Sequence, residues 1–160
     1  MNFFLKTICI LSMFLLITSL IEKDENKLKT GFYYLAEKEE GSELIKDVEE
    51  DKIFAIEKKE VLTVDDFSDA KFVVRNFKPN AIKVIELKLT KVGRKKWSEI
   101  KKRISSTGES IVFVCNDKIY LEKTILVNNN SESSTIDLLI DPKYQEEVIQ
   151  VIKSEIKNNH

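Results

Sequence analysis

A chain of 160 residues, 42% hydrophobic and 33% charged, suffices for one ordinary domain with a wet surface and is too short for two sizeable ones. A formal net charge of -1 excludes bulk attraction to nucleic acid or to anionic lipid. With only four glycines and one histidine, the chain has no glycine-rich phosphate loop and few of the groups that catalysis or metal binding commonly uses.

Met1 to Ile21 reads as a targeting segment. Lys6 supplies the positive start, and Thr7 to Ile21 carries no charge. This uncharged run is shorter than the ~20 apolar residues of a spanning helix, so it matches the core of a signal peptide. Thr18-Ser19 offers small residues for cleavage. If Phe3, Phe4 and Leu5 are counted in and Lys6 snorkels, the segment becomes an uncleaved signal anchor instead. Both versions put the rest of the chain outside the cytoplasm, periplasmic or secreted. Cys9 lies inside the leader, and Glu22, Lys23 and Asp24 follow the apolar run where a lipoprotein cysteine would stand, so no lipid anchor is expected. Residues 22–30 read as a polar linker and 31–157 as one folded domain.

In that domain Gly31 to Ala36 has strand propensity, and Lys38 to Asp51, with Gly41 and Ser42 amid acids, reads as a solvated connection. Ile53 to Ile56 is the next strand. Around Val61 to Phe67, Thr63 or Asp65 caps a single helical turn, with Asp66 near its positive end. Ala70 to Arg75 is a short strand, and Phe77 to Asn80 is a turn fixed by Pro79. Ala81 to Leu89 alternates with period two, a strand. Thr90 then stands at an N-cap, and Gly93, Trp97, Ile100 and Ile104 fall on one helix face. Gly108 ends that helix. Ile111 to Cys115 and Lys118 to Leu121 form a hairpin around Asn116-Asp117, and Ile125 to Val127 extends its second arm. Asn128 to Ser134 is an exposed loop. Ile136, Leu138 and Ile140 mark the last strand. Asp141-Pro142 starts a helix striped by Val148, Ile149, Ile152 and Ile156, which ends in the polar tail Asn158 to His160. The simplest burial of both stripes is an α+β fold: a mainly antiparallel sheet with two amphipathic helices packed on one face, preceded by the N-terminal signal or anchor helix.

Charge is unevenly spread. Residues 37–69 are acid-rich, whereas Lys91, Arg94, Lys95, Lys96, Lys101, Lys102 and Arg103 oppose only Glu99. Such a run is a solvated helix face, a surface paired with the chain's own acidic segment, or a face that meets an acidic partner.

The run Leu89-Thr90-x-x-Gly93-x-x-x-Trp97, followed by Ile111-Val112-Phe113-Val114-x-Asn116-Asp117-Lys118-Ile119, resembles the head subdomain of the first periplasmic domain of the SecD/SecDF protein-export subunits. Leu62-Thr63 with Asp66-Phe67 and Ala70 looks like that family's entry segment, and Tyr144 to Ile156 falls where it has its closing helix. The similarity covers roughly Gly31 to Lys157, best from Val61 to Ile125. Asn116-Asp117 stands where the family usually has glycine. The resemblance implies a stand-alone extracytoplasmic module, not a proton-driven translocase subunit with several spanning helices. It also implies contact with polypeptide.

Chemistry-bearing residues are sparse. His160 is the last residue. Cys115 sits in an apolar strand and reads as a small buried group. It has no cysteine partner once the leader is cut. Asp65-Asp66 reads as a cap pair, and Asp65, Asp66 and Asp137 are the carboxylates that a small hydrolase would have to use. Asn129-Asn130-Ser131 fits a glycosylation sequon. Trp97 reads as core. Tyr33, Tyr34 and Tyr120 include candidate exposed strand positions, the usual anchors of binding surfaces. A sheet edge is a further candidate surface. No catalytic, cofactor-binding or metal site is expected. The leading expectation is a non-enzymatic binding module that contacts polypeptide or an envelope protein, with no nucleic acid and with the membrane reached only through the leader. A structural or inhibitory envelope protein with one folded partner and a carboxylate-based hydrolase are the rivals.

Overall fold

The computed structural model describes residues 27–37, 42–48, 52–77, 79–121 and 134–159. The leader, the extension at 125–127, the sequon and His160 lie outside these residues. In chain order the elements are β1 (Gly31–Tyr34), β2 (Ser42–Asp47), β3 (Ile53–Glu57), β4 (Leu62–Thr63), a 3-10 turn (Val64–Asp66), β5 (Phe67–Phe77), β6 (Asn80–Leu89), α1 (Lys91–Thr107), β7 (Ile111–Cys115), β8 (Lys118–Leu121), β9 (Thr135–Leu138) and α2 (Pro142–Asn159).

The α+β class holds, but the layering differs from one sheet with both helices on one face. Among the described residues there are two sheets, a six-stranded one in the order β3-β2-β8-β7-β1-β4 and a three-stranded one in the order β5-β6-β9. All pairings are antiparallel except that of β2 with β8. The cause is legible in β1 and β7, whose side chains are apolar on both faces. Phe32, Tyr34, Ile111, Phe113 and Cys115 join the main core, while Tyr33, Val112 and Val114 join a second cluster with Ile45, Ile56 and Ile119. A sheet that is apolar on both faces needs cover on both. The second face is covered by the sheet's own curl. Ile56 of β3 bridges to Leu35, and the Ala36 amide donates to the Ala55 carbonyl at 2.9 Å. The far edge thus returns to the end of β1.

β2 corrects the expected solvated connection at 38–51. Its alternation turns Ile45 and Asp47 inward, between β3 and β8. Local sequence conceals it, because its partners lie on distant strands.

The strand-to-helix corner forms as the sequence predicts. Thr90 Oγ1 accepts the Gly93 amide at 3.0 Å. Gly93, Trp97 and Ile100 are buried, and Gly108 closes α1 at φ 74 with its amide on the Ile104 carbonyl. Asn116 and Asp117 have φ 49 and 56, the pair of positive values that a two-residue hairpin turn needs. Asp117 also accepts the Leu28 amide at 2.9 Å, tying down the segment before β1.

α2 is wedged between the sheets. On one side Tyr144 donates to the Val48 carbonyl, Tyr120 to Glu147 and Thr30 to Glu155. On the other side Gln145 Nε2 donates to the carbonyls of Lys83 and Ile140, both at 2.9 Å. Trp97 and Ile152 share the one main core.

Candidate binding surfaces

The basic run divides into two populations, because α1 turns by about 100° per residue. Lys96 and Arg103 flank the buried stripe and reach acids that earlier elements supply. Lys96 Nζ sits 2.8 Å from Asp66 Oδ2, and Arg103 binds Glu57 at 3.1 Å and also Glu109. The Arg103 guanidinium lies over the Tyr34 ring at 3.8 Å and holds the Glu109 carboxyl below the usual carboxylate range. The expected pairing with the acidic segment therefore exists at these two cations. Lys91, Arg94, Lys95 and Lys102 point the other way, are exposed, and have no ion-pair partner among the described residues.

A groove of about 630 Å³ runs beside α1, with Tyr34, Lys59, Glu60, Asp65, Lys96 and Arg103 among its lining residues. Its charges alternate in sign and are largely paired.

The candidate carboxylates do not converge. Asp66 is buried and engaged by Lys96 and by the Thr63 amide at 3.1 Å. Asp65 accepts from Asn159 at 2.7 Å. Asp137 lies on the outer face of the other sheet, gripped by Arg75 at 2.7 and 2.9 Å, and Arg75 also binds Glu86. No metal-binding cluster of His, Cys, Asp and Glu forms among the described residues. No described helix is long and apolar enough to cross a membrane.

The tyrosines correct another expectation. Tyr33, Tyr34 and Tyr120 are 1%, 3% and 5% exposed and belong to the core, as does Trp97. Each sits in a strand with neighbours on the face it points to, so the phenol is buried with the ring. Burial raises the Tyr33 and Tyr120 phenols well above their ordinary 10.0, with Glu60 and Glu147 adding to it. Burial also pushes the Cys115 thiol from 9.0 up to about 12. These groups are buried neutral, so at high pH the unfolded chain releases its protons first and stability falls as pH rises. Their contribution is intact below pH 9.0, the ordinary thiol value, and is lost as pH climbs through 10.0 towards the folded-state values. Urea titrations along a pH series should show a steady midpoint up to that point and a falling one beyond it. A midpoint that holds well above pH 10.0 would contradict the burial of these three groups in the folded state.

Sheet edges are the surface that sequence could not resolve. β3 is met by Leu35 and Ala36, while β4 and β9 have two and four residues. β5 has eleven residues, stands at the end of its sheet, and pairs only with β6 among the described residues. Its outward groups follow from its partner. Lys83 gives its carbonyl to Gln145 and Leu89 takes the Ser134 carbonyl, so odd-numbered residues of β6 face away from β5. The even ones therefore bond to Lys71, Val73 and Arg75 of β5, which turns the amides of Phe72, Val74 and Asn76 outward. The Ala70 amide is already taken by Asp69 at 2.8 Å, and a bulge at Phe67/Asp69 ends the usable edge on that side. Alternation gave no signal for so long a strand, since Ser68 and Asn76 break it on either side, and the extra length comes from the register with β6.

Scans of this chain against protein-family models, curated proteins and solved structures return no match.

Proposed function

We propose that this chain is a non-enzymatic extracytoplasmic module that holds an extended polypeptide segment by backbone pairing with the outer edge of β5. The observation that carries this reading is the long outer strand with outward amides at Phe72, Val74 and Asn76, beside a Val74 side chain that is 65% exposed. Natural edges of this length are usually blunted by charge, proline or bulges. Here the charges of Lys71 and Arg75 are drawn sideways onto Glu86 and Asp137, and the bulge lies at the opposite end. An edge of this kind gives affinity through main-chain bonds and little sequence preference. The leader at Met1 to Ile21 supports an extracytoplasmic setting, and the likeness of Val61 to Ile125 to the SecD head supports polypeptide as the ligand class. The core of that likeness, Thr90, Gly93 and Trp97, does structural work at the corner between β6 and α1, so it bears on fold more than on chemistry.

Proline at position 74 removes one outward amide and leaves the ladder to β6 intact. Val74→Pro should therefore keep a native circular dichroism spectrum and a cooperative melt while weakening capture of a reduced, carboxymethylated unfolded protein by about tenfold. Val73→Pro, which removes an inward amide, should unfold the ribbon and serves as the contrast. Equal capture by folded Val74→Pro and by the parent chain would overturn the proposal, as would no capture by the parent chain.

A further inference from the structure

No contact among the described residues explains four of the cations on α1. Lys91, Lys95 and Lys102 lie on the side of the helix opposite Gly93, Trp97 and Ile100, Arg94 lies on the flank away from Lys96 and Arg103, and none of the four touches an acid among the described residues. Their placement works against the helix. The first turn holds Lys91 and Arg94 and no acid, although that end of a helix carries the positive pole. Lys91 and Lys95 are like charges one turn apart, which is also unfavourable. On the three-stranded sheet, by contrast, Lys71, Arg75 and Lys83 are each matched by Glu86, Asp137 or Glu146.

We infer that this outer stripe of α1 recognises an acidic segment of polypeptide. The inference names the chemistry of the partner proposed above and rests on that reading, but it uses a separate surface. The stripe's shape favours a narrow partner. From Lys91 to Lys102 it runs about 16 Å at 1.5 Å per residue, the length of about five residues of extended chain. Along one flank stand Glu99, exposed, and the Glu57 and Glu109 carboxylates that hold Arg103. A broad anionic plane such as a lipid surface would press against those acids, whereas a single extended strand bearing three or four carboxylates lies clear of them. Complementarity of this kind acts mainly on encounter rate and selectivity and weakens with salt.

The test uses the full chain and a fluorescent peptide of alternating Glu and Gly. Fluorescence anisotropy should report binding that weakens at least about tenfold between low and physiological ionic strength. The Lys91→Gln/Lys95→Gln/Lys102→Gln variant should lose that binding while keeping or raising its melting temperature, since these side chains have no ion-pair partner among the described residues and their charges oppose the helix. Lys153→Gln on α2 should leave it unchanged. If the triple variant binds the peptide as well as the parent chain, the stripe is a solvated face and the inference fails. Binding to anionic vesicles or to a single-stranded oligonucleotide without binding to the peptide also overturns it. The carboxymethylated unfolded probe separates this failure from that of the parent reading. Capture of it that is sensitive to Val74→Pro, with no acidic-peptide binding, sinks the stripe alone. No binding of either probe sinks the polypeptide reading.

Discussion

Truncation of Phe32 to alanine should lower the stability of the fold by about 4 kcal/mol, the cost of a large aromatic lost from a core that cannot collapse around the gap. Phe32 is fully buried, and its ring meets those of Phe113 at 5.1 Å, Trp97 at 5.9 Å and Phe67 at 6.4 Å. These three rings come from β7, α1 and the start of β5, so one side chain joins three separately formed pieces. A domain of ordinary stability holds about 5–15 kcal/mol, and the variant should begin to unfold at moderate temperature. Urea titration followed by Trp97 fluorescence measures it, because Trp97 lies against the truncated ring and is the chain's one tryptophan. A loss under about 1 kcal/mol would mean that the neighbours close the cavity, and the packing described here would need revision.

Gly93→Ala should also destabilise, by about 2 kcal/mol, and here the sign is the informative part. In an open helix the same exchange gains about 1 kcal/mol, because alanine is the better helix former. At position 93 an added Cβ would stand 2.3 Å from the Asp66 carbonyl oxygen. That oxygen belongs to backbone and cannot rotate away. It also accepts the Thr90 amide at 2.9 Å, and the Asp66 carboxylate is held by Lys96 at 2.8 Å. Relieving the clash therefore pulls the 3-10 turn off the first turn of α1 and strains these bonds together, and overpacking of this kind costs about 1–3 kcal/mol. A thermal melt decides between the two: a raised midpoint would mean that the turn slides aside and the contact is not tight.

The sequence was most readable where structure is local. The alternation of Ile85, Leu87 and Leu89, the cap at Thr90, the Trp97 stripe, the Asn116-Asp117 turn and the Asp141-Pro142 start each depend on neighbours within a few residues. What was not readable depends on partners far along the chain. Ser42 to Asp47 becomes a strand only because β3 and β8 flank it. The division into two sheets depends on which strand β6 pairs with beyond its hairpin. The tyrosines looked exposed because strand alternation says nothing about what covers each face: Tyr33 is covered by Ile45 and Ile56 of β2 and β3, while Tyr34 and Tyr120 belong to the main core, Tyr120 against Tyr144 of α2. The candidate surfaces divide in the same way. Charge alone located the basic helix, but the split between bound and free cations had to wait for the positions of Glu57 and Asp66. A usable edge could not be selected until the strand order identified β5.

The pairing of β1 with β7 and of β2 with β8 orders events during synthesis. β5, β6 and α1 are contiguous and can assemble as soon as they emerge. β2 can pair early with β3 and β1 with β4, but each must wait for its second neighbour, Gly31 for Val114 and Lys46 for Lys118. Late closure of such distant pairs makes folding slow and leaves apolar strands unprotected meanwhile. Truncation before residue 111 therefore removes the closing hairpin and leaves β1 and β2 each without one neighbour, a defect that a holding chaperone can shield but cannot repair.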